Sequence, residues 1–166
     1  MDEVTQAFHA IWSTGSVEED WEHWPDHLTE DVLYVERVFG TMHGREQVRT
    51  WITELMAVRA DVHAVLNWYL VKGDRVVFDM TNRYYHPDPA QPPLDFAGLT
   101  VLQYGGDGLF RYEEDYWDTG GAKAAYEAWS AAVQEHGGKG LGNGRFASLE
   151  AERKADNYAV LARGSV

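Results

Sequence analysis

Residues 62–85 read VHAVLNWYLVKGDRVVFDMTNRYY, and residues 96–117 read FAGLTVLQYGGDGLFRYEEDYW. These two stretches decide the fold class. Each holds two runs rich in β-branched and aromatic residues, split by a turn: Lys72-Gly73-Asp74 in the first, Gly105-Gly106-Asp107-Gly108 in the second. Such runs fit a pleated, half-buried surface, and the glycine-rich break fits a hairpin. Between them, HPDPAQPP (86–93) carries four of the five prolines and reads as a loop. The spacing predicts four consecutive strands, at 62–71, 75–85, 96–104 and 109–117.

Working outward, Asp31-Val32-Leu33-Tyr34-Val35-Glu36-Arg37 reads as one more strand, with turns at Gly40 and His43-Gly44. Residues 45–58 read as a helix with the apolar stripe Val48, Trp51, Ile52, Leu55 and Met56. Residues 3–13 read as an amphipathic helix broken by Ser13-Thr14-Gly15-Ser16, and Val17 to His23 as a second short helix ended by Pro25. Downstream, 121–135 is helix-like, GGKGLGNG (137–144) reads as a flexible hinge, and 147–162 as a tail helix. This gives a pocket domain over 1–136, then a hinge and tail over 137–166. Helices first and a run of strands after them is an α+β pattern, not alternating βαβ. The expected architecture is a cone, a curved antiparallel sheet closed by N-terminal helices around one pocket.

Composition narrows the function. The formal net charge is −13 and no basic run exists. Nucleic acids and anionic membranes need clustered Lys and Arg, so neither is an expected partner. The absence of cysteine rules out disulfides, thiolate zinc sites and cysteine nucleophiles. The start, MDEVTQAFHAIW, has no basic segment followed by an apolar one, and no stretch approaches the roughly 20 apolar residues that span a bilayer. A cytoplasmic location is expected. Aromatics make up 13% of the chain; Phe8, Trp12, Trp24, Trp51, Trp68 and Phe78 can build a core, and some of them a ligand wall.

Side chains alternate along a strand. On the first strand Val32, Tyr34 and Glu36 share one face. On the last, Glu113, Asp115 and Trp117 share one, with Tyr112, Glu114 and Tyr116 on the other. A carboxylate beside a tyrosine in an apolar strand, if it faces a cavity, has its pKa raised toward the range of a general base. A strand-end acid such as Glu36 equally fits an ion pair with Arg37 or Arg45, and three acids in a row fit a solvated edge. The histidines give no metal site: His23 and His27 are four apart, but Pro25 separates them. Gly105, Gly106 and Gly108 sit in a hairpin, not between strand and helix, so no nucleotide loop is expected. No cofactor is expected.

The stretches Glu30-Asp31-Val32-Leu33-Tyr34-Val35-Glu36, Gly44-Arg45-Glu46-Gln47-Val48-Arg49, and Gly106-Asp107-Gly108 through Glu114-Asp115-Tyr116-Trp117-Asp118 resemble the SnoaL-like branch of the nuclear transport factor 2-like superfamily. The resemblance covers about residues 3–135. Members include ketosteroid isomerases, limonene-type epoxide hydrolases, polyketide cyclases, scytalone dehydratases and many proteins without enzyme activity, so fold alone does not name a reaction. The resemblance implies that Glu36 stands where ketosteroid isomerases carry their proton-abstracting Asp, and that Tyr34 and Glu36 stand where the epoxide hydrolases hold the attacking water. It implies that Asp115 matches the epoxide hydrolases' catalytic Asp. Where those hydrolases carry an Arg and an Asp, this chain has Met80 and Asn82. Where ketosteroid isomerases carry a protonated Asp, it has Thr100. Scytalone dehydratases use two pocket histidines, for which His63 and His86 are candidates.

The resulting expectation is cofactor-independent acid–base chemistry on a small hydrophobic cyclic molecule: isomerisation, dehydration or cyclisation. Glu36, Asp115 and Tyr34 would be catalytic; Trp12, Asn82, Met80, Thr100, Glu113 and Trp117 would contact substrate. Epoxide opening by activated water and non-catalytic binding are the alternatives. The superfamily resemblance also implies a homodimer.

Overall fold

The computed structural model describes residues 1–59, 61–138 and 143–166, with the side chains of 143–146 left aside. Asp2 starts helix α1 (Glu3–Trp12) by accepting the Thr5 amide at 2.9 Å and the Thr5 hydroxyl at 2.8 Å. The helix does not break at Ser13. It loosens into a π-helical turn over Ser13–Val17. Gly15 lies there because Trp24 packs on it: a Cβ would stand 2.3 Å from the Trp24 ring. The expected helix over Val17–His23 does not form. Glu19 turns the chain with φ at 58°, and a 3₁₀ turn follows over Trp24–His27. Pro25 therefore opens a helical turn, where its missing N–H costs nothing.

Six strands follow in a single sheet ordered β2-β1-β6-β5-β4-β3. Strand β1 (Leu28–Glu36) turns back into β2 (Gly40–His43), a short strand in a stretch that reads as turn residues. Helix α2 (Arg45–Val58) then carries the chain to the far edge. There β3 (Val62–Lys72), β4 (Arg75–Tyr84), β5 (Leu94–Gly106) and β6 (Leu109–Trp117) run as an antiparallel meander. The meander brings β6 back against β1 as a parallel pair, with Tyr34 beside Glu113 and Glu36 beside Asp115. The sheet is thus mixed, and β1–β6 is its parallel pairing. Strand composition does not encode this partner, because the direction of β6 follows from the number of preceding reversals.

Strand β4 alternates cleanly: Val76, Phe78, Met80, Asn82 and Tyr84 are buried, and the residues between them are not. Its register to β5 runs unbroken from Arg75–Gln103 to Tyr84–Leu94. The inner face so defined packs on Ala7, Phe8, Ile11 and Trp12 of α1 and on Val48 and Ile52 of α2. Helix α3 (Thr119–Glu135), capped by Asp118 on the Gly121 amide, lays Trp129 on the Tyr84 ring at 5.2 Å.

Residues 139–142 of the glycine-rich stretch 137–144, read as a flexible hinge, lie outside the described residues. Beyond it, α4 (Asn143–Arg163) is part of the same core, with Val160 and Leu161 buried in it. The Arg153 guanidinium is buried among the Ser16, Val17 and Ala64 carbonyls and the Glu19 carboxylate. Lys154 pairs with Glu18 at 2.7 Å. Past α4, the Val166 amide donates to the Tyr69 carbonyl at 3.0 Å, and Ser165 Oγ accepts the Val71 amide at 2.8 Å.

Candidate active site

A cavity of about 450 Å³ lies between the inner sheet face and helices α1, α2 and α3. Its wall is aromatic and aliphatic, with Trp24, Tyr34 and Trp51 in contact around one part of it: Trp24 to Tyr34 at 6.2 Å and Tyr34 to Trp51 at 5.2 Å between ring centres. Val38 and Phe39, from the loop between β1 and β2, are both exposed and also border it. Few polar groups interrupt this surface, and the buried ones central to it come from strands β1, β4, β5 and β6.

Asp115 is the central one. It is buried on β6 opposite Thr100 of β5. Tyr34 donates its hydroxyl to Oδ2 of Asp115, and Thr100 donates its own to Oδ1. Burial pushes the Asp115 carboxyl from its usual 3.8 up to about 6, against the downward pull of those two hydroxyls. Two acceptor positions on the carboxylate remain open, since an ionised carboxylate offers about four.

Glu113, two residues earlier on the same face, is also buried. Its Oε2 has no hydrogen-bond partner among the described residues. Burial, and then the neighbouring Asp115 charge, hold its pKa well above the ordinary value. No described Lys or Arg forms an ion pair with either acid. Tyr34, buried and facing Asp115, is likewise pushed well above its usual pKa and stays a hydroxyl donor.

Glu36 has a different setting. It is buried beside Asp115 in the parallel register, yet it does not line the cavity. Its Oε2 accepts the backbone amides of Val38, at 2.6 Å, and of Phe39; its Oε1 accepts the Trp117 indole N–H. The sequence does contain the signal for this, a carboxylate at the mouth of a tight turn, because acids capture local amides there. The bond to Trp117 comes from the β1–β6 pairing and has no such signal.

Trp117 in turn lies across Gly98 of β5. A Cβ at Gly98 would meet the Trp117 ring at 2.9 Å and the Asn82 amide nitrogen at 3.1 Å. Asn82 Nδ2 is buried without a partner among the described residues. Trp12, Met80, Asn82, Thr100, Glu113, Asp115, Trp117 and Tyr34 thus share one cavity wall. Asp79 and Arg83 face the other way, held by Asn67 at 2.6 Å and by Asp95 at 2.7 Å. No described histidine lines the cavity. His63 bonds Glu19 at 2.6 Å, and His86 bonds the Asp88 amide at 3.0 Å. Sequence reasoning undervalued Glu113, whose raised pKa comes first from burial and then from the Asp115 charge on the same face. Among the described residues no group of three or more His, Cys, Asp or Glu stands together as metal ligands. No described helix is long and apolar enough to cross a membrane.

Comparison with solved structures returns the same architecture. A protein with a ketosteroid isomerase-like fold from Catenulispora acidiphila, solved with trimethylamine, is 21% identical over 70% of this chain and 89% of its own, with a TM-score of 0.56. An epoxide hydrolase of the LEH-like type from M. tuberculosis is 17% identical over 79% of this chain and 92% of its own, at 0.56. A SnoaL-like polyketide cyclase from Jannaschia is 16% identical over 74% and 90%, at 0.61. Comparison with curated proteins finds no match. The model of the SnoaL-like domain matches residues 5–113, from the first helix into the strand that carries the two buried acids, and the chain belongs to the SnoaL-like family.

Proposed function

We propose that this protein is an acid–base enzyme that needs no cofactor and moves a proton on a small, hydrophobic, cyclic substrate. Asp115 is the base and Glu113 the acid. One observation supports the reading: two buried carboxyl groups stand on one wall of a largely apolar cavity, neither paired with a described Lys or Arg, and burial raises the pKa of both. Pairs of that kind are how one site runs acid and base steps together. Asp115 takes a proton from a carbon activated by a neighbouring carbonyl, Glu113 delivers one elsewhere on the ring system, and exchange with solvent then removes the proton from Asp115 and returns one to Glu113. The net result is an isomerisation, or a dehydration where a hydroxyl leaves as water. Tyr34 and Thr100 fix the Asp115 carboxylate so that its free lone pairs face the substrate.

Glu36, expected as a base, serves instead to hold Trp117 and the Val38–Phe39 lip. The epoxide-opening alternative is weakened because Met80 and Asn82 occupy the inner face of an unbulged β4, which puts no Arg–Asp pair opposite Asp115.

The test does not require the natural substrate. The protein is incubated in D₂O with a panel of cyclic ketones and enones, and deuterium uptake next to the carbonyl is followed by mass spectrometry. Uptake that disappears in Asp115→Asn supports the proposal. Tight binding of panel members with no uptake at any pH would make the protein a binding protein.

A further inference from the structure

We infer that helix α4, none of whose described residues lines the cavity, shapes the ligand site from behind, and that Asn157 is a positioning residue that acts on the cavity through Trp12. This rests on the reading of the cavity as a small-molecule site. Asn157 is fully buried, which is costly for an amide unless its polar atoms are all met. They are. Its Oδ1 accepts the Trp12 indole N–H at 3.0 Å and the Leu66 amide at 2.8 Å. Its Nδ2 donates to the Ala64 carbonyl at 3.2 Å and the Arg153 carbonyl at 3.0 Å.

The consequence lies in where Trp12 points. Its indole borders the cavity and packs edge-on against Phe78 at 5.2 Å between ring centres. Phe78 stands in register with Thr100, the residue that donates to Asp115. A buried indole N–H has to find an acceptor. Asn157 supplies one from behind the wall and so fixes the plane of the ring. Nothing in α1 itself provides this acceptor; it arrives from 145 residues along the chain. The attachment is firm, because Arg153 and Lys154 anchor the same helix to the turn at Glu18 and Glu19. The family match ends at residue 113, so α4 lies outside the segment that defines the family.

The test uses the full chain labelled with 5-fluorotryptophan, with the Trp12 resonance assigned by its loss in Trp12→Phe, and the dye 1-anilinonaphthalene-8-sulfonate as the cavity probe. Asn157→Leu should shift the Trp12 resonance and weaken dye binding about fivefold or more, the effect of one ordinary hydrogen bond. Combined with Trp12→Phe, the loss should be smaller than the product of the two single losses, because both changes remove the same hydrogen bond. Asn157→Asp keeps the acceptor for Trp12 but sets a carboxyl oxygen against the Ala64 and Arg153 carbonyls, so it should lower the melting temperature while the Trp12 resonance stays close to wild type. Val160→Ala loosens α4 elsewhere; it should lower the melting temperature and leave both readouts in place. An unmoved Trp12 resonance in Asn157→Leu, additive losses in the double variant, or an equal affinity loss in Val160→Ala would overturn the role of Asn157. Failure of the wild-type protein to bind the dye would overturn the cavity reading instead, since the fluorine signal reports Trp12 without any ligand.

Discussion

Glu114 and Asp115 are neighbours in the chain and opposites in chemistry. Glu114 faces outward from β6, where Arg37 pairs with it and the Tyr112 hydroxyl donates to it at 2.7 Å. That hydroxyl bond is the main reason its pKa lies below the ordinary glutamate value. Asp115 faces inward, meets hydroxyls but no cation, and is pushed up to about 6 by burial. Glu113, on the same inner face, is also held well above its ordinary value, first by burial and then by the Asp115 charge. The lesson is that a run of three acids is neither a solvated edge nor a catalytic cluster as a unit. The pleat of the strand divides it, and each face is settled by what it touches.

The largest effect that tests this contrast is on turnover. If Asp115 is the base, Asp115→Asn should lower proton exchange by about 10²–10⁴-fold, read by deuterium uptake at neutral pH. Glu114→Gln should leave the rate within about twofold of wild type, as expected of a surface pair. Equal losses in both variants would erase the distinction between the faces.

Stability should show the contrast as opposite pH slopes. Between the usual 3.8 and about 6, folded Asp115 keeps a proton that the unfolded chain has released. Its contribution is therefore most favourable below about pH 4 and is lost as pH rises through about 6, at a cost of roughly 3 kcal/mol. Urea unfolding from about pH 4 to about pH 8 should show Asp115→Asn gaining on wild type by about that amount as pH rises. Glu113, whose pKa is also raised by burial, adds to the slope in the same direction. Glu114, with its pKa lowered, contributes above its ordinary value and loses that contribution as pH falls.

Glu36 sharpens the comparison from the neighbouring strand. Glu36→Gln leaves one of the donors it now accepts facing an NH₂ group, so it should destabilise by roughly 1–3 kcal/mol in urea unfolding and reduce turnover far less than Asp115→Asn. A fully stable but inactive Glu36→Gln would return the base to Glu36. The smallest effect belongs to the outer face, where Glu114→Gln should move the melting midpoint by no more than about 2 °C, measured by calorimetry.

Much of this was legible from residue order. The inward set on β4 and β6 follows from period-two alternation, and α2 forms over the residues its apolar stripe marks out. What alternation cannot supply is the partner strand. The parallel placement of β1 against β6 brings Tyr34 to Asp115 and Glu36 to Trp117, and that pairing depends on the whole path between them. The docking of α4 was equally hidden, because nothing in the sequence around Asn157 and Arg153 names the carbonyls they meet.

Strand β3 ends the sheet on one side, and four of its outward backbone groups are taken by the chain's own C-terminal segment: the Ala64 carbonyl and Leu66 amide by Asn157, the Tyr69 carbonyl by Val166, and the Val71 amide by Ser165. Unoccupied, such a row is a template on which a foreign strand can add. The protein therefore carries its own protection against sheet-to-sheet aggregation, and removing residues 143–166 would leave a sticky rim as well as an altered cavity.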